Sequence, residues 1–145
     1  MPLKPFLPAM ILIMASMAPV VAGAEVDTTP GPGGVFHLKP GVYVAKGQPC
    51  GDPANAAIRV YDGKGIRGSA THDCVARIVR QVGNRFTVDE SCKDAPTGAG
   101  KRMTERQIVT VSNAIEFAID KRGDVTTFRY CPVYQLPGSL KNPGG

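Results

Sequence analysis

The stretch that decides the fold is Cys74–Cys92, with the sequence CVARIVRQVGNRFTVDESC. It is rich in β-branched residues on both sides of Gly83-Asn84, a pair typical of a tight turn. We therefore predict a hairpin with a three-residue loop over 82–84, in which Asn84 takes the left-handed conformation. The alternative is a helix over 71–82, because four apolar residues there also recur at helical spacing. These residues are Val75, Ile78, Val79 and Val82.

The hairpin register sets Cys74 opposite Cys92 on one face, and Arg77 opposite Asp89 on the other face. A shift of one residue would send the two cysteines to opposite faces of the sheet. The same register puts Glu90 on the face that carries the cysteines, where burial of a carboxylate is unfavourable. The register and the β-branched composition together favour the strand over the helix, and they predict a Cys74–Cys92 disulfide.

The chain has four cysteines, an even number that is typical of small exported domains with two disulfides. If the hairpin pair forms, Cys50 and Cys131 are left for the second bridge, although the other two connectivities stay open. A zinc site would need closely spaced cysteine pairs or nearby histidines. The cysteine spacings here are wide, and the histidines are His37 and His72. We expect two disulfides and no metal.

The rest of the chain alternates short β-like runs with turn residues such as Asp62-Gly63. The predicted strands outside the first hairpin are 41–45, 57–61, 65–70, 106–111, 114–120 and 125–131. Alternation of apolar and polar residues is clean in Ile115–Ile119, as expected for strands with one buried face. We predict an all-β fold, an antiparallel meander barrel or sandwich of about eight short strands stapled by disulfides.

The N-terminal residues 1–24 have the pattern of an export signal. Lys4 precedes the apolar stretch Phe6–Val21, and Ala22-Gly23-Ala24 is a small-x-small cleavage site. The apolar stretch is shorter than the ~20 residues of a spanning helix and contains proline. We expect a mature chain that begins at Glu25, lies in the periplasm or outside the cell, and has no membrane span.

The remaining sequence divides into a flexible Pro/Gly leader over 25–40, a β domain over 41–135 and a flexible tail over 136–145. A chain of 145 residues leaves room for one core and excludes a two-domain enzyme. The net charge of +5 falls to +4 without Lys4. This mild excess suits an unknown protein partner or an anionic cell-wall ligand.

Five arginines fall in the middle hairpins, where they either form a cationic patch or face solvent on the strands. They are Arg59, Arg67, Arg77, Arg80 and Arg85. Tryptophan is absent and the tyrosines are not interleaved with these arginines, so stacking on nucleic-acid bases has little support. We therefore regard nucleic acid as an unlikely partner.

One motif suggests a nucleotide site. Gly63–Gly68 fits G-x-G-x-x-G and follows a predicted strand, and Asp89 lies about 20 residues beyond it. A dinucleotide site would also need a helix after the glycines, whose N-terminus binds the pyrophosphate. Since we predict a strand there, we interpret the motif as a hairpin turn and expect neither a dinucleotide nor any other cofactor.

A second group of residues suggests acid-base chemistry. A small secreted hydrolase or nuclease would combine His72 with a nearby carboxylate and an arginine on one sheet face. Glu90 or Glu105, and Arg77 or Arg106, supply the residue types. Such combinations are common by composition alone, so this remains the alternative to a non-catalytic function.

Two segments carry a resemblance. Pro53–Cys74 (PANAAIRVYDGKGIRGSATHDC) and Thr127–Pro132 resemble small exported bacterial two-disulfide β-proteins. In plan, the chain is also similar to the periplasmic lysozyme-inhibitor barrels, which combine a signal peptide, about eight strands and a disulfide staple. Gly68-Ser69-Ala70 resembles the small-residue loop that those inhibitors insert into an enzyme cleft. The resemblance implies an exported β domain.

These observations favour a non-catalytic exported protein of the envelope, a binding or inhibitor module for a protein or cell-wall partner. Its candidate binding residues are Arg67, Gly68, Ser69 and His72. No residue is assigned a catalytic role.

Overall fold

A computed structural model describes Pro2, residues 34–94 and residues 99–142 of the chain. The predicted signal peptide and residues 25–33 of the predicted leader lie outside the described residues, apart from Pro2. No helix in the described part of the chain is long and apolar enough to cross a bilayer.

Within the described residues there are eight strands, β1 Gly41–Ala45, β2 Ile58–Tyr61, β3 Ile66–Arg67, β4 His72–Val82, β5 Arg85–Lys93, β6 Arg102–Asn113, β7 Glu116–Lys121 and β8 Asp124–Tyr130. They pair antiparallel in a single sheet with the order β3-β2-β1-β8-β7-β6-β5-β4. The same part of the chain has three short 3-10 segments, Asn55–Ala57, Val133–Gln135 and Gly138–Leu140. The sheet curls into a nearly closed barrel, which confirms the predicted all-β fold.

The barrel closes between its first and last strands and is nearly open between β3 and β4. β1 pairs with β8 through Tyr43↔Tyr130 and its neighbours. β3 has only two residues, and it meets the β4–β5 hairpin through few bonds. The N–H of Ala76 donates to the Lys64 carbonyl at 2.9 Å. The N–H of Ile66 donates to the Glu90 carboxylate at 2.8 Å. This β3–β4 seam is therefore held partly by a side chain.

The central hairpin is confirmed as a strand pair, and β4 excludes the helical alternative over 71–82. Arg77 lies opposite Asp89 and Ile78 opposite Val88, as the register predicts. The predicted three-residue loop is wrong, because Val82 pairs with Arg85 across a two-residue turn.

The left-handed residue of that turn is Gly83, with φ 58°, and not Asn84. The observed pairing agrees with the prediction up to Ile78 and differs from it by one residue near the turn. The change occurs at a register shift between Ile78 and Arg80. Val79 is thus the extra residue of a β-bulge on β4. Because of this extra residue, β4 residues on both sides of the bulge point to the faces of the sheet that their β5 partners require.

Both predicted disulfides are present. The sulfur atoms of Cys74 and Cys92 are 1.98 Å apart, and those of Cys50 and Cys131 are 2.02 Å apart. The first bridge joins the adjacent strands β4 and β5. The second joins the segment after β1 to the residue that follows β8, so it ties the two ends of the barrel domain together.

The strand boundaries differ from the prediction in two places. The predicted strand over 65–70 is observed only over Ile66–Arg67 (β3), because residues 68–71 form a turn at the rim of the barrel. β6 is longer than the predicted 106–111, and its turn to β7 lies at 114–115 rather than at 112–113. Ala114 is buried, and its carbonyl accepts a hydrogen bond from the N–H of Lys39 at 2.7 Å.

The last residues of the predicted leader, from residue 34 on, are packed against the barrel. Phe36 and Leu38 are almost completely buried and plug one end of the barrel interior. Backbone bonds hold this segment in place, since the N–H of Val35 donates to the Gly63 carbonyl at 2.8 Å. The same end is filled by aromatic rings, among them Tyr43 and Phe117 with centroids 5.0 Å apart.

The start of the predicted flexible tail is also packed. Val42, Val44 and Val60 are buried on the outer face of β1 and β2. Leu136 covers them and is itself buried, while Leu140 packs against the edge of this cluster. The outer cluster is therefore a second small core, outside the barrel, next to the Cys50–Cys131 bridge.

Candidate functional site

The interior of the barrel changes from apolar to polar along neighbouring strands. On β5 the inward positions run from Phe86 and Val88 to Glu90. On β6, Val109 is followed by Gln107 and then by Glu105 towards the mouth. In the register, Gln107 lies opposite Val88 and Glu105 opposite Glu90, so the change on β6 comes one inward-facing pair before the change on β5. One end of the interior is thus a hydrophobic core, and the other end is a cavity lined by both charged and apolar side chains.

We call this open end of the barrel the cup. It encloses a cavity of about 740 Å³, within the usual range of ligand pockets. The side chains on its wall that carry the argument are Arg59, Glu90, Cys92, Glu105, Gln107 and Lys121. They come from β2, β5, β6 and β7.

Glu90 is the most buried charged residue of the cup, with 6% of its surface exposed. One oxygen accepts the N–H of Ile66 at 2.8 Å, and the other lies 3.5 Å from the amide nitrogen of Gln107, which is also buried. Burial raises the pKa of Glu90 to about 7, against the opposing effect of the Ile66 hydrogen bond. The side chain is therefore partly protonated near neutral pH.

Gly65 allows this carboxylate to reach β3. A Cβ atom at Gly65 would overlap the Glu90 carboxylate and lie only 2.6 Å from the carbonyl oxygen of Cys74. Only a residue without a side chain lets the β3 backbone approach β4 and β5 this closely. The glycine is thus required by packing at the seam.

Arg59 lies on the opposite wall of the cup. Its Nη1 donates to the carbonyls of Ala56 and Ile58, at 3.0 and 2.7 Å. The guanidinium carbon lies 4.9 Å from the centroid of the Phe128 ring. Burial lowers the pKa of Arg59. Within residues 34–94 and 99–142, no carboxylate forms an ion pair with this guanidinium.

Glu105 and Lys121 form an ion pair at the mouth of the cup, with Nζ and Oε2 2.6 Å apart. Glu105 also lies directly opposite Glu90 in the β5–β6 register. The lysine offsets the charge of one of these two neighbouring carboxylates. The β5–β7 wall therefore carries little net charge when Glu90 is protonated.

The strand order sets Arg59 across the barrel from this wall. Between β2 and β6 there are three strands in each direction around the barrel, so the two strands face each other. Arg59 on β2 thus faces Glu105 and Gln107 on β6 across the cavity. The cup thus has the Arg59 guanidinium on one side and, across the cavity, a wall in which carboxyl and amide groups lie beside Lys121.

The disulfide of the hairpin forms part of this wall. The sulfurs of Cys74 and Cys92 and a carboxylate oxygen of Glu90 lie within 4.8 Å of one another. Three such atoms resemble a metal site, but both sulfurs are used in the covalent bridge, and metals bind cysteine as the free thiolate. The bridge instead lies beside the buried Glu90 carboxylate as part of the covalent frame of the cup.

The predicted binding residues do not all lie in the cup. Gly68 and Ser69 line its rim, where the N–H of Gly68 donates to the Thr71 hydroxyl at 2.9 Å. Arg67 pairs with Val60 and so belongs to the outward-facing row of β2 and β3. His72 begins β4 opposite Lys93 and is not among the residues that line the cavity. The structure brings together two of the four residues.

The glycine motif is a turn, as predicted. Asp62 accepts the N–H groups of Lys64 and Gly65 at 2.8 and 3.1 Å. Two backbone donors that a phosphate would need are therefore already used by a side chain of the chain itself. The segment after the motif leads into β4, so no helix N-terminus adjoins these glycines.

The predicted catalytic combinations do not converge on one face. Arg77 and Arg106 both bind Asp89, at 2.6 and 2.8 Å, on the outer surface of the sheet. Glu90 and Glu105 lie on the inner side, in the wall of the cup. A carboxylate in the cup and these two arginines are thus separated by the sheet.

Gln107 and Lys121 were not predicted as site residues, and Arg59 was named only as one of the five arginines of the alternative cationic patch. For Gln107 and Lys121 the signal is alternation: Gln107 shares the inward face of β6 with Val109, and Lys121 shares that of β7 with Ile119. A polar residue at an inward position beyond an apolar one marks the level at which the core ends.

Comparison with models of protein families, with curated proteins and with solved structures found no match.

Proposed function

We propose that this chain is a non-catalytic exported binding module of the envelope, which holds a group of its ligand or partner in the cup. The observation that carries the proposal is the set of charged and amide side chains that line a cavity inside the barrel, namely Arg59, Glu90, Glu105, Gln107 and Lys121. A barrel interior that served only as a core would be apolar throughout, because buried polar groups stabilise a protein poorly. The apolar end of this barrel shows that the chain can build such a core.

The covalent structure supports an exported location. Two disulfides fit an extracellular or periplasmic protein, since reducing compartments disfavour them. Cleavage of residues 1–24 and residence in the periplasm or outside the cell are part of the same proposal.

The partners of the cup residues support binding rather than catalysis. Glu90 holds the β3–β4 seam through Ile66, and Glu105 is paired with Lys121. His72, the residue best suited to proton transfer near neutral pH, lies outside the cavity lining. In the inhibitor form of the proposal, the rim loop over 68–71 would also contact a protein partner.

The test uses the oxidised chain 25–145 immobilised on a resin and exposed to periplasmic and cell-wall extracts. Ser69→Trp places a large side chain at the exposed rim of the cup. Ser139→Trp places the same side chain at an exposed position in the C-terminal 3-10 segment, away from the cup. We expect material retained by the wild type and by Ser139→Trp to be lost with Ser69→Trp.

Two results would contradict the proposal. Equal retention by all three proteins would show that the cup is not the site, and no retention by any of them would argue against a binding module. The retained ligand is also compared by mass spectrometry with the ligand in the extract. A ligand that is cleaved during incubation would support the hydrolase alternative instead.

A further inference from the structure

We propose that the ligand of the cup carries a carboxylate group and that Arg59 binds it; this inference rests on the proposed function of the cup. The starting point is the charge of Arg59. Among the described residues its recorded contacts are two backbone carbonyls and the Phe128 ring, and no anion. A half-buried cation without a counter-ion is unfavourable, and an incoming anion relieves that penalty.

Other arginines of the barrel are compensated within the chain. Arg77 and Arg106 bind Asp89, and Arg102 binds Asp73 at 2.6 Å. These pairs lie on the surface, where water would screen an unpaired charge anyway. Arg59 differs from these three arginines in that it is half-buried in the cavity wall and pairs with no carboxylate of the described residues.

The geometry of Arg59 suits a planar anion. Both of its recorded hydrogen bonds use Nη1, which fixes the guanidinium and leaves the edge formed by Nε and Nη2 for a ligand. A guanidinium edge and a carboxylate form two parallel hydrogen bonds. The Phe128 ring on one face further restricts the plane of the group.

The opposite wall limits the charge of the ligand. Glu90 and Glu105 lie on the far wall, where Lys121 is already paired with Glu105, so this wall offers no unpaired cation on β5–β7 for the second charge of a dianionic phosphate. Their oxygens and the Gln107 amide instead accept hydrogen bonds from hydroxyl or amide groups. The ligand class is therefore a small monocarboxylate with hydroxyl or amide groups, either an acidic sugar or a peptide C-terminus.

The experiment measures binding of defined probes to the oxidised chain 25–145 by calorimetry. Glucuronate represents acidic sugars, with glucose as its uncharged control. N-acetyl-alanyl-alanine represents peptide C-termini, with its C-terminal amide as control, and glucose 6-phosphate tests a phosphate. We expect one carboxylate probe to bind, and its uncharged control and the phosphate to bind at least tenfold more weakly.

Arg59→Met should weaken binding of the carboxylate probe at least tenfold. Arg80→Met, an exposed arginine on β4 outside the cup, should leave binding unchanged. Because Arg59→Met also removes contacts within the fold, the wild type provides a second readout. In NMR spectra of the wild type, the arginine Nε–H signal of Arg59 should shift on titration with the probe, and that of Arg80 should not.

Three results would overturn the inference: unchanged binding in a folded Arg59→Met variant, a preference for the phosphate or an uncharged control, or no binding of either carboxylate probe. If these occur while Ser69→Trp still abolishes retention from extracts, the proposed function stands and only the ligand class is wrong. If retention is also absent or insensitive to Ser69→Trp, the proposed function is wrong as well.

Discussion

Glu90 has two opposing effects on stability. Its carboxylate accepts the Ile66 N–H and so helps to close the β3–β4 seam. Its burial nevertheless disfavours the charged form, which is why its pKa is raised to about 7 from an ordinary value of 4.5. The seam is therefore held by a group whose charge changes within the physiological pH range.

This pKa shift predicts the pH dependence of stability. Since the folded state binds the Glu90 proton more tightly than the unfolded state, the free energy of unfolding should fall as pH rises from about 4.5 and level off above about 7. The full change attributable to this group is roughly 3 kcal/mol. Urea unfolding at pH 4.5, 6 and 8 measures it.

Glu90→Gln should remove this part of the pH dependence, since the amide keeps the shape but does not titrate. Glu116→Gln is the matched control, because the half-exposed Glu116 side chain lies outside the cavity lining, with its Oε2 3.9 Å from Lys46 Nζ. A pH profile of Glu90→Gln that parallels the wild type over this range would show that Glu90 is not responsible.

Gly65 provides a second prediction for a single residue. Gly65→Ala should destabilise the protein by about 1–3 kcal/mol, because the added methyl group overlaps the Glu90 carboxylate and the Cys74 carbonyl. Gly138→Ala is the control, since a Cβ there would meet no atom within 4 Å. Thermal unfolding compares the two variants, and equal melting temperatures would contradict the packing argument.

At the scale of elements, the β4–β5 hairpin shows what the sequence can predict. The opposed cysteines and the Arg77–Asp89 pair specify the register of its inner half, because a slip of one residue separates both pairs. The turn was mispredicted because a three-residue loop and a two-residue turn with a bulge give that half the same register. Only the pairing beyond Val79 distinguishes them.

The bulge predicts an unequal response to deletions. Deletion of Val79 should leave the faces of β4 intact and keep the Cys74–Cys92 disulfide, with a change in stability of about 1 kcal/mol or less. Deletion of Thr87 on β5 should be far more damaging, because it reverses the faces of residues such as Phe86. Disulfide mapping and urea unfolding of both variants would measure this difference. Similar loss of stability in the two deletions would argue against the bulge.

At the scale of the whole molecule, the barrel was predictable and the cup was not. Turn residues between short β-like runs predicted the eight strands. Arg59 and Gln107 are far apart in sequence, and closure of the barrel alone sets their strands across from each other. The local sequence around either residue gives no sign of the other, whereas Glu90 was already conspicuous as a carboxylate on the cysteine-bearing face.

The two disulfides should contribute unequally to stability. Cys50 and Cys131 are 81 residues apart in sequence, whereas Cys74 and Cys92 are 18 apart. By loop entropy, the long bridge is worth roughly 4–5 kcal/mol and the short one about 3 kcal/mol. Replacing each pair by serine should therefore lower the urea midpoint more for the long bridge. A larger loss for the short bridge would mean that strain or residual structure outweighs chain entropy.

The pairing of β1 with β8 also determines when the barrel can form. If the chain emerges from a translocation pore N-terminus first, β2 can pair with one edge of β1 early. The other edge of β1 stays unpaired until β8 has emerged. During that interval Cys50 meets Cys74 and Cys92 before its native partner Cys131 has appeared. A bridge that Cys50 formed with Cys74 or Cys92 in that interval would be non-native, and only thiol exchange would convert it to the Cys50–Cys131 pair.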